Sequence, residues 1–146
     1  QIFPEDIQNL SLAFDGNNLQ IVNLVYPVEG GDLCNKNVVK AIVSLESKII
    51  FFTRSHVPHQ STQAMRQLGM IGFTHAALAE YSKLEPTPLE NLESIDMMRL
   101  IENDYEILAV TSSLPILGVD NPADIFKAEQ MMADDSLVAS YRDKYL

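Results

Sequence analysis

Arg54 stands directly behind the apolar run Lys48-Ile49-Ile50-Phe51-Phe52-Thr53, and α/β sheets meet their ligands at strand ends. A guanidinium there can grip a carboxylate in a two-pronged fork, or pair with one of the chain's twenty acids. Asp120, in Gly118-Val119-Asp120-Asn121-Pro122-Ala123-Asp124, has the pattern of an ordinary helix start. A carboxylate in a strand-to-helix turn can also hold Mg²⁺, which favours one or two carboxylates together with substrate phosphates. Lys40 falls inside a β-prone run, where its amine must reach an anion or solvent; the plain alternative is an edge-strand lysine that blocks aggregation. His56 and His59 sit in a polar stretch, and His75 at a strand end. Without a third convergent ligand they are expected to be solvent-exposed histidines, not metal ligands. Cys34 has no base near it in sequence and is expected to be small and partly buried. The six methionines, with pairs at Met97-Met98 and Met131-Met132, are expected to be core filler.

A chain of 146 residues, 47% hydrophobic and 21% charged, is long and apolar enough to form a core and is not a disordered segment. Its net charge of −10 repels phosphate backbones and anionic lipid heads, which argues against nucleic-acid and membrane-surface partners. No apolar run approaches the ~20 residues of a bilayer span. With a single cysteine there is neither an internal disulfide nor a cysteine metal knuckle. No export signal is recognisable, and a cytoplasmic location is the expectation.

The elements that must position these residues follow from spacing and turn chemistry. Pro4-Glu5-Asp6 opens a helix to about Phe14. Asp15-Gly16-Asn17-Asn18 turns the chain into a strand from Leu19 to Tyr26, closed by Pro27. The runs 38–43 and 48–53 form a hairpin, and His56 to Gln67 a surface loop. Gly69–Phe73 reads as a short buried strand and Ala76–Lys83 as a helix. Leu89, Leu92, Ile95, Met98 and Ile101 place one amphipathic helix as far as Asn103. Glu106–Thr111 is the last strand. A helix follows to about Met132, with Asp120 or Asn121 as cap, and a final one from Leu137 to Tyr145. Interleaved strands and helices define an α/β fold, a mixed β-sheet with flanking helices.

Five segments, in order, resemble the 3-deoxy-manno-octulosonate cytidylyltransferases. Asn37-Val38-Val39-Lys40 resembles that family's N-x-V-K, and Phe51-Phe52-Thr53-Arg54-Ser55-His56-Val57-Pro58 its Y-F-S-R-x-x-I-P. Gln67-Leu68-Gly69-Met70-Ile71-Gly72-Phe73 is similar to H-L-G-I-Y-G-Y. The run from Leu84 to Leu100 resembles P-S-P-L-E-x-x-E-x-L-E-Q-L-R-x-L, and Gly118-Val119-Asp120-Asn121-Pro122-Ala123-Asp124-Ile125 resembles G-V-D-T-P-E-D-L.

The resemblance implies the C-terminal part of a Rossmann-like nucleotide-diphospho-sugar transferase fold. Residues 1–133 would be its sugar-acid-binding and dimerising half, and 134–146 a helical tail. The implied activity is Mg²⁺-dependent transfer of CMP from CTP to a 3-deoxy-manno-octulosonate-like sugar acid with release of pyrophosphate, in a homodimer and in lipopolysaccharide biosynthesis. Arg54, Gln67 and Asp96 would contact substrate and Asp120 would bind Mg²⁺; no residue of this half is expected to act as a nucleophile. The family's nucleotide-binding loop and its second metal carboxylate have no counterpart in the chain, so the chain alone is expected to be inactive. Gln67 and Ile71 stand where the family has histidine and tyrosine, and Asp96-Met97 where it has Glu-Gln, a change able to redirect substrate choice. A sialic-acid-like substrate, or a non-catalytic dimerising domain derived from this fold, are the alternatives.

Overall fold

The computed structural model describes residues 3–15, 20–113, 118–119, 122–133 and 135. They comprise α1 (Pro4–Ala13), β1 (Ile21–Glu29), a 3-10 turn (Gly30–Leu33), β2 (Lys40–Val43), β3 (Ile49–Thr53), β4 (Gln63–Phe73), α2 (His75–Tyr81), α3 (Pro88–Glu93), α4 (Met98–Glu102), β5 (Leu108–Thr111) and α5 (Pro122–Ala133). Residues 3–114 form one unit, which holds the sheet; residues 1–2 and 115–146 form another, in which α5 is the described element. The Asp120 and Asn121 caps, and the final helix expected from Leu137, lie outside the described residues. No helix among those described is long and apolar enough to cross a membrane.

The strands lie in the order β3-β2-β4-β1-β5, with β1 and β5 parallel and the other pairs antiparallel. At one end the two outer strands meet: Ile49 N donates to Ile107 O at 2.8 Å, Ala109 N donates to Ser47 O at 2.7 Å, and Lys48 pairs with Glu106. Main-chain groups that an edge strand leaves open are thereby satisfied at that end.

Alternation divides the sheet into two faces. Ile21, Val25, Ala41 and Phe52 form a core with Ala77, Ile95, Met97, Met98, Leu100 and Ile107 beneath α2, α3 and α4. Both methionines of the 97–98 pair are buried, as expected for core filler, whereas Met132 of the 131–132 pair is exposed and is not core. The opposite face carries Val22 and α1. There Gly72 is required by close approach, since a Cβ would stand 2.7 Å from Val22 Cγ2 and 3.1 Å from the Phe14 ring. Pro4 in the first turn and Glu5 and Asp6 behind it start α1 as anticipated. Asp6 is buried and accepts a hydrogen bond from Ser112 Oγ at 3.1 Å, tying α1 to the end of β5.

Three elements differ from the sequence expectation. β1 runs through Pro27 to Glu29 because β5 flanks it only from Val22 to Val25, so the missing N–H falls where just β4 is a neighbour. β4 begins at Gln63, so the last part of the expected surface loop, from Gln63 to Gln67, is strand. The single helix expected over 89–103 is two, broken at Ser94, whose backbone is left-handed at φ 54° and ψ 49°.

Candidate functional site

The end of β3 meets the break between α3 and α4, through Thr53 and Arg54. Lys40 lies opposite both Thr53 and Arg66 across β2. The next residues along, Arg54 and Gln67, therefore occupy the same end of the sheet, two strand spacings or about 10 Å apart.

Lys40 is fully buried, and the edge-strand and solvent readings of it are corrected: β2 lies between β3 and β4. Its Nζ donates to three main-chain carbonyls, Arg54 O at 2.7 Å, Val38 O at 2.8 Å and Asn35 O at 2.9 Å. An ammonium has three donors, so all are used. Burial pushes the Lys40 amine below its usual range, and the nearby Arg54 charge adds to the effect. The lysine fixes the course of residues 35–38 against the strand end.

Arg54 is half-buried and rests on that same framework. Its Nε donates to Glu93 O at 3.1 Å, Nη2 to Ser94 O at 3.2 Å and Nη1 to Lys36 O at 3.0 Å. Two of these carbonyls close the C-terminal end of α3, where a positive charge is favourable. The guanidinium has five N–H donors, so one remains on each Nη. The Glu93 carboxylate is occupied by Thr53 Oγ1, at 2.9 and 3.0 Å, and by the Arg54 main-chain N–H at 3.0 Å. Sequence reasoning missed Glu93, which has no distinguishing context in its helix.

Gln67 meets a residue that sequence reasoning also missed. Between Asn23 and Val25 the β1–β4 register jumps from Ile71 to Gln67, so β4 bulges over Leu68, Gly69 and Met70. Buried Asn23 lies opposite the bulge. Its Nδ2 is 3.0 Å from Leu24 O, 3.0 Å from Leu68 O and 3.2 Å from Met70 O, and its Oδ1 accepts from Gln67 Nε2 at 2.8 Å. Bulges of this kind re-aim side chains and are common beside active sites. The signal was an asparagine within the apolar run Ile21-Val22-Asn23-Leu24-Val25, because a buried amide must find partners.

Asp96 is exposed in the turn ahead of α4, two residues beyond the Ser94 carbonyl held by Arg54. Its Oδ1 accepts from Met97 N at 2.9 Å, and its charge adds to the burial that pushes the Tyr81 hydroxyl up. The fold thus brings Arg54 and the 93–96 turn together, with Gln67 across β2. Asp120 lies outside the described residues.

His56, His59 and His75 are exposed, and among the described residues no group of three or more His, Cys, Asp or Glu stands together as a metal site. Cys34 is exposed, not partly buried, and has a base after all: its Sγ is 3.9 Å from His56 Nδ1, while His56 Nε2 is 3.1 Å from Ser61 O. Twenty-two residues separate the pair in sequence, which hid it.

No protein-family model matches the chain. Curated relatives do. The 3-deoxy-manno-octulosonate cytidylyltransferase of Chlorobium limicola is 34% identical over 139 residues, 87% of this chain and 56% of the relative. Those of Rickettsia bellii and Myxococcus xanthus are 32% and 31% identical, over 94% and 88% of this chain and 56% and 54% of theirs. A solved structure of CMP:2-keto-3-deoxy-manno-octonic acid synthetase complexed with CTP superposes with a TM-score of 0.84 at 24% identity, covering 90% of this chain and 57% of that one. In fold, then, the described sheet and helices are those of a large part of that α/β structure. In sequence the chain belongs to the 3-deoxy-manno-octulosonate cytidylyltransferase family, spanning about half the length of the curated relatives it matches, which is consistent with a C-terminal half.

Proposed function

We propose that this chain is the sugar-acid-binding lobe of a cytidylyltransferase, acting together with a nucleotide-binding half that the chain does not include. The anomeric hydroxyl oxygen of a 3-deoxy-manno-octulosonate-like acid attacks the α-phosphorus of CTP. The bond from that phosphorus to the bridging β-oxygen breaks, pyrophosphate leaves, and the hydroxyl proton passes to solvent. Such a reaction relies on positioning and charge stabilisation, without a protein nucleophile.

The observation that carries this reading is the family match along nearly the whole chain. The seat of Arg54 supports it: three N–H groups anchored on carbonyls pre-orient the plane, and the two left over can receive the sugar carboxylate. Gln67 and Asp96 flank the same corner and contact hydroxyls of the sugar. Asp120 supplies a carboxylate to Mg²⁺, which neutralises phosphate charge when bound. Substrate phosphates would complete the ion's shell, as magnesium prefers.

The test is pyrophosphate release by the full-length protein with CTP, Mg²⁺ and a panel of sugar acids that includes 3-deoxy-manno-octulosonate and a sialic acid. Turnover of the first is expected; release with none of them sinks the enzymatic reading and leaves a dimerising domain. In the same assay Asp120→Asn keeps the size of the side chain but removes the charge, and should raise the Mg²⁺ requirement. An unchanged Mg²⁺ dependence and rate would remove Asp120 from the metal site.

A further inference from the structure

The direction in which Gln67 offers its amide is decided by Asn23, and that direction defines the ligand group the position accepts. Reversing the Asn23 amide would set its oxygen against three carbonyl oxygens at 3.0–3.2 Å, so Nδ2 must face the bulge and Oδ1 must face Gln67. An oxygen at 2.8 Å then requires the NH₂ end of Gln67. Its carbonyl Oε1 is left as the terminus with no partner among the described residues, on a half-buried side chain. A free glutamine could turn either end to a ligand; this one cannot turn without leaving a buried amide oxygen of Asn23 unsatisfied.

We propose that Asn23 is a positioning residue that locks Gln67 as a hydrogen-bond acceptor, so that this position recognises a hydroxyl group of the substrate and disfavours a carboxylate or phosphate oxygen. A hydroxyl donates to Oε1 and can accept from the remaining N–H beside it. A carboxylate or phosphate oxygen can take the remaining N–H but has no proton to give, and it meets Oε1 as an acceptor against an acceptor, so it fits only half of what a hydroxyl satisfies. The acid group of the substrate is thereby directed away from Gln67 and toward a cation, the role proposed above for Arg54 at this end of the sheet. The inference rests on Gln67 lining the sugar site, as proposed above, and adds which chemical group it faces and what enforces the choice.

The test has one arm that needs no turnover. In the ¹⁵N-labelled full-length protein, the Gln67 side-chain NH₂ signal, assigned by its loss in Gln67→Met, should exchange slowly with solvent and lose that protection in Asn23→Ser. Fast exchange in the unmodified protein overturns the lock. In the kinetic arm, Asn23→Ser and Gln67→Met should each raise KM for the sugar acid about tenfold with kcat little changed. The double variant should be no worse than Gln67→Met alone. Multiplying effects, about a hundredfold together, would show that Asn23 does not act through Gln67. Gln67→Lys should bind no better than Gln67→Met; a KM below that of the unmodified protein would place the acid group here and overturn the polarity. If the NH₂ is protected and no sugar acid is turned over, the functional reading fails while the lock stands.

Discussion

Two arginines hold opposite ends of the same helix pair and are used in opposite ways. Arg99, on α4, meets Glu90 of α3 side chain to side chain: Nε donates to Oε2 at 2.7 Å and Nη2 to Oε1. Its Nη1 donates to Leu84 O at 2.9 Å, and its guanidinium lies 5.2 Å above the Tyr81 ring. With the Arg99 and Glu90 side chains only 18% and 12% exposed, one charge answers the other. Arg54 touches the far end of α3, but its partners are carbonyl dipoles, and the neighbouring Glu93 carboxylate is engaged by Thr53 and by main chain. An arginine held by carbonyls is oriented without being neutralised by them, the state that suits an anion-binding group. An arginine closed on a carboxylate is a structural clamp.

That contrast predicts a crossed pattern of losses. Arg54→Ala in the full-length protein should lower kcat/KM for the sugar acid by about 10³-fold, or ~4 kcal/mol, the scale for deleting one partner of a desolvated charge pair. Arg54→Lys keeps the charge but not the planar fork and should fall between. Arg99→Ala should instead lower stability, read as a downward shift of the urea midpoint, because it leaves the Glu90 carboxylate without its guanidinium partner. Its effect on KM should be slight. A stability loss without an activity loss at Arg54, or the reverse at Arg99, would dissolve the distinction.

Both arginines could be picked out in the sequence, yet only Arg54 invited a functional reading, because it follows an apolar strand. Strand and helix periodicity located α1, the β2–β3 hairpin, β5 and α5 to within a few residues. β4 was half hidden, since Gln63, Arg66 and Gln67 give its first turns a polar look, and the bulge at 68–70 interrupts the two-residue alternation. The α3–α4 break was hidden for a different reason. The apolar spacing continues through Ser94, and the left-handed residue there is stabilised by tertiary contact with Arg54, which no local pattern encodes. Lys40 likewise looked like an edge residue because its three carbonyl partners come from two separate loops. What spacing and turn chemistry determine was recoverable; partners brought together by sheet order were not.

The smallest expected effect sharpens the clamp half of the comparison. The Arg99 hydrogen bond holds the Glu90 carboxyl below its ordinary value of 4.5, helped by the Thr87 main-chain N–H and opposed by partial burial. A carboxyl lowered in the folded state binds its proton more readily when unfolded, so it contributes stability above about pH 4.5 that is lost as pH falls through the lowered folded value. Glu90→Gln keeps an acceptor for Arg99 and Thr87 but cannot titrate. Urea midpoints measured from pH 7 down to pH 3 should therefore show the unmodified protein more stable than Glu90→Gln at neutral pH, with the gap closing on acidification. The gap should be smaller than the loss in Arg99→Ala, because the acceptor shared by Arg99 Nε and the Thr87 main chain survives and only the Arg99 Nη2 bond is lost. A gap that stays constant over the whole range would mean that the pair is held by shape and not by charge, and Arg99 would then be no more an electrostatic clamp than Arg54.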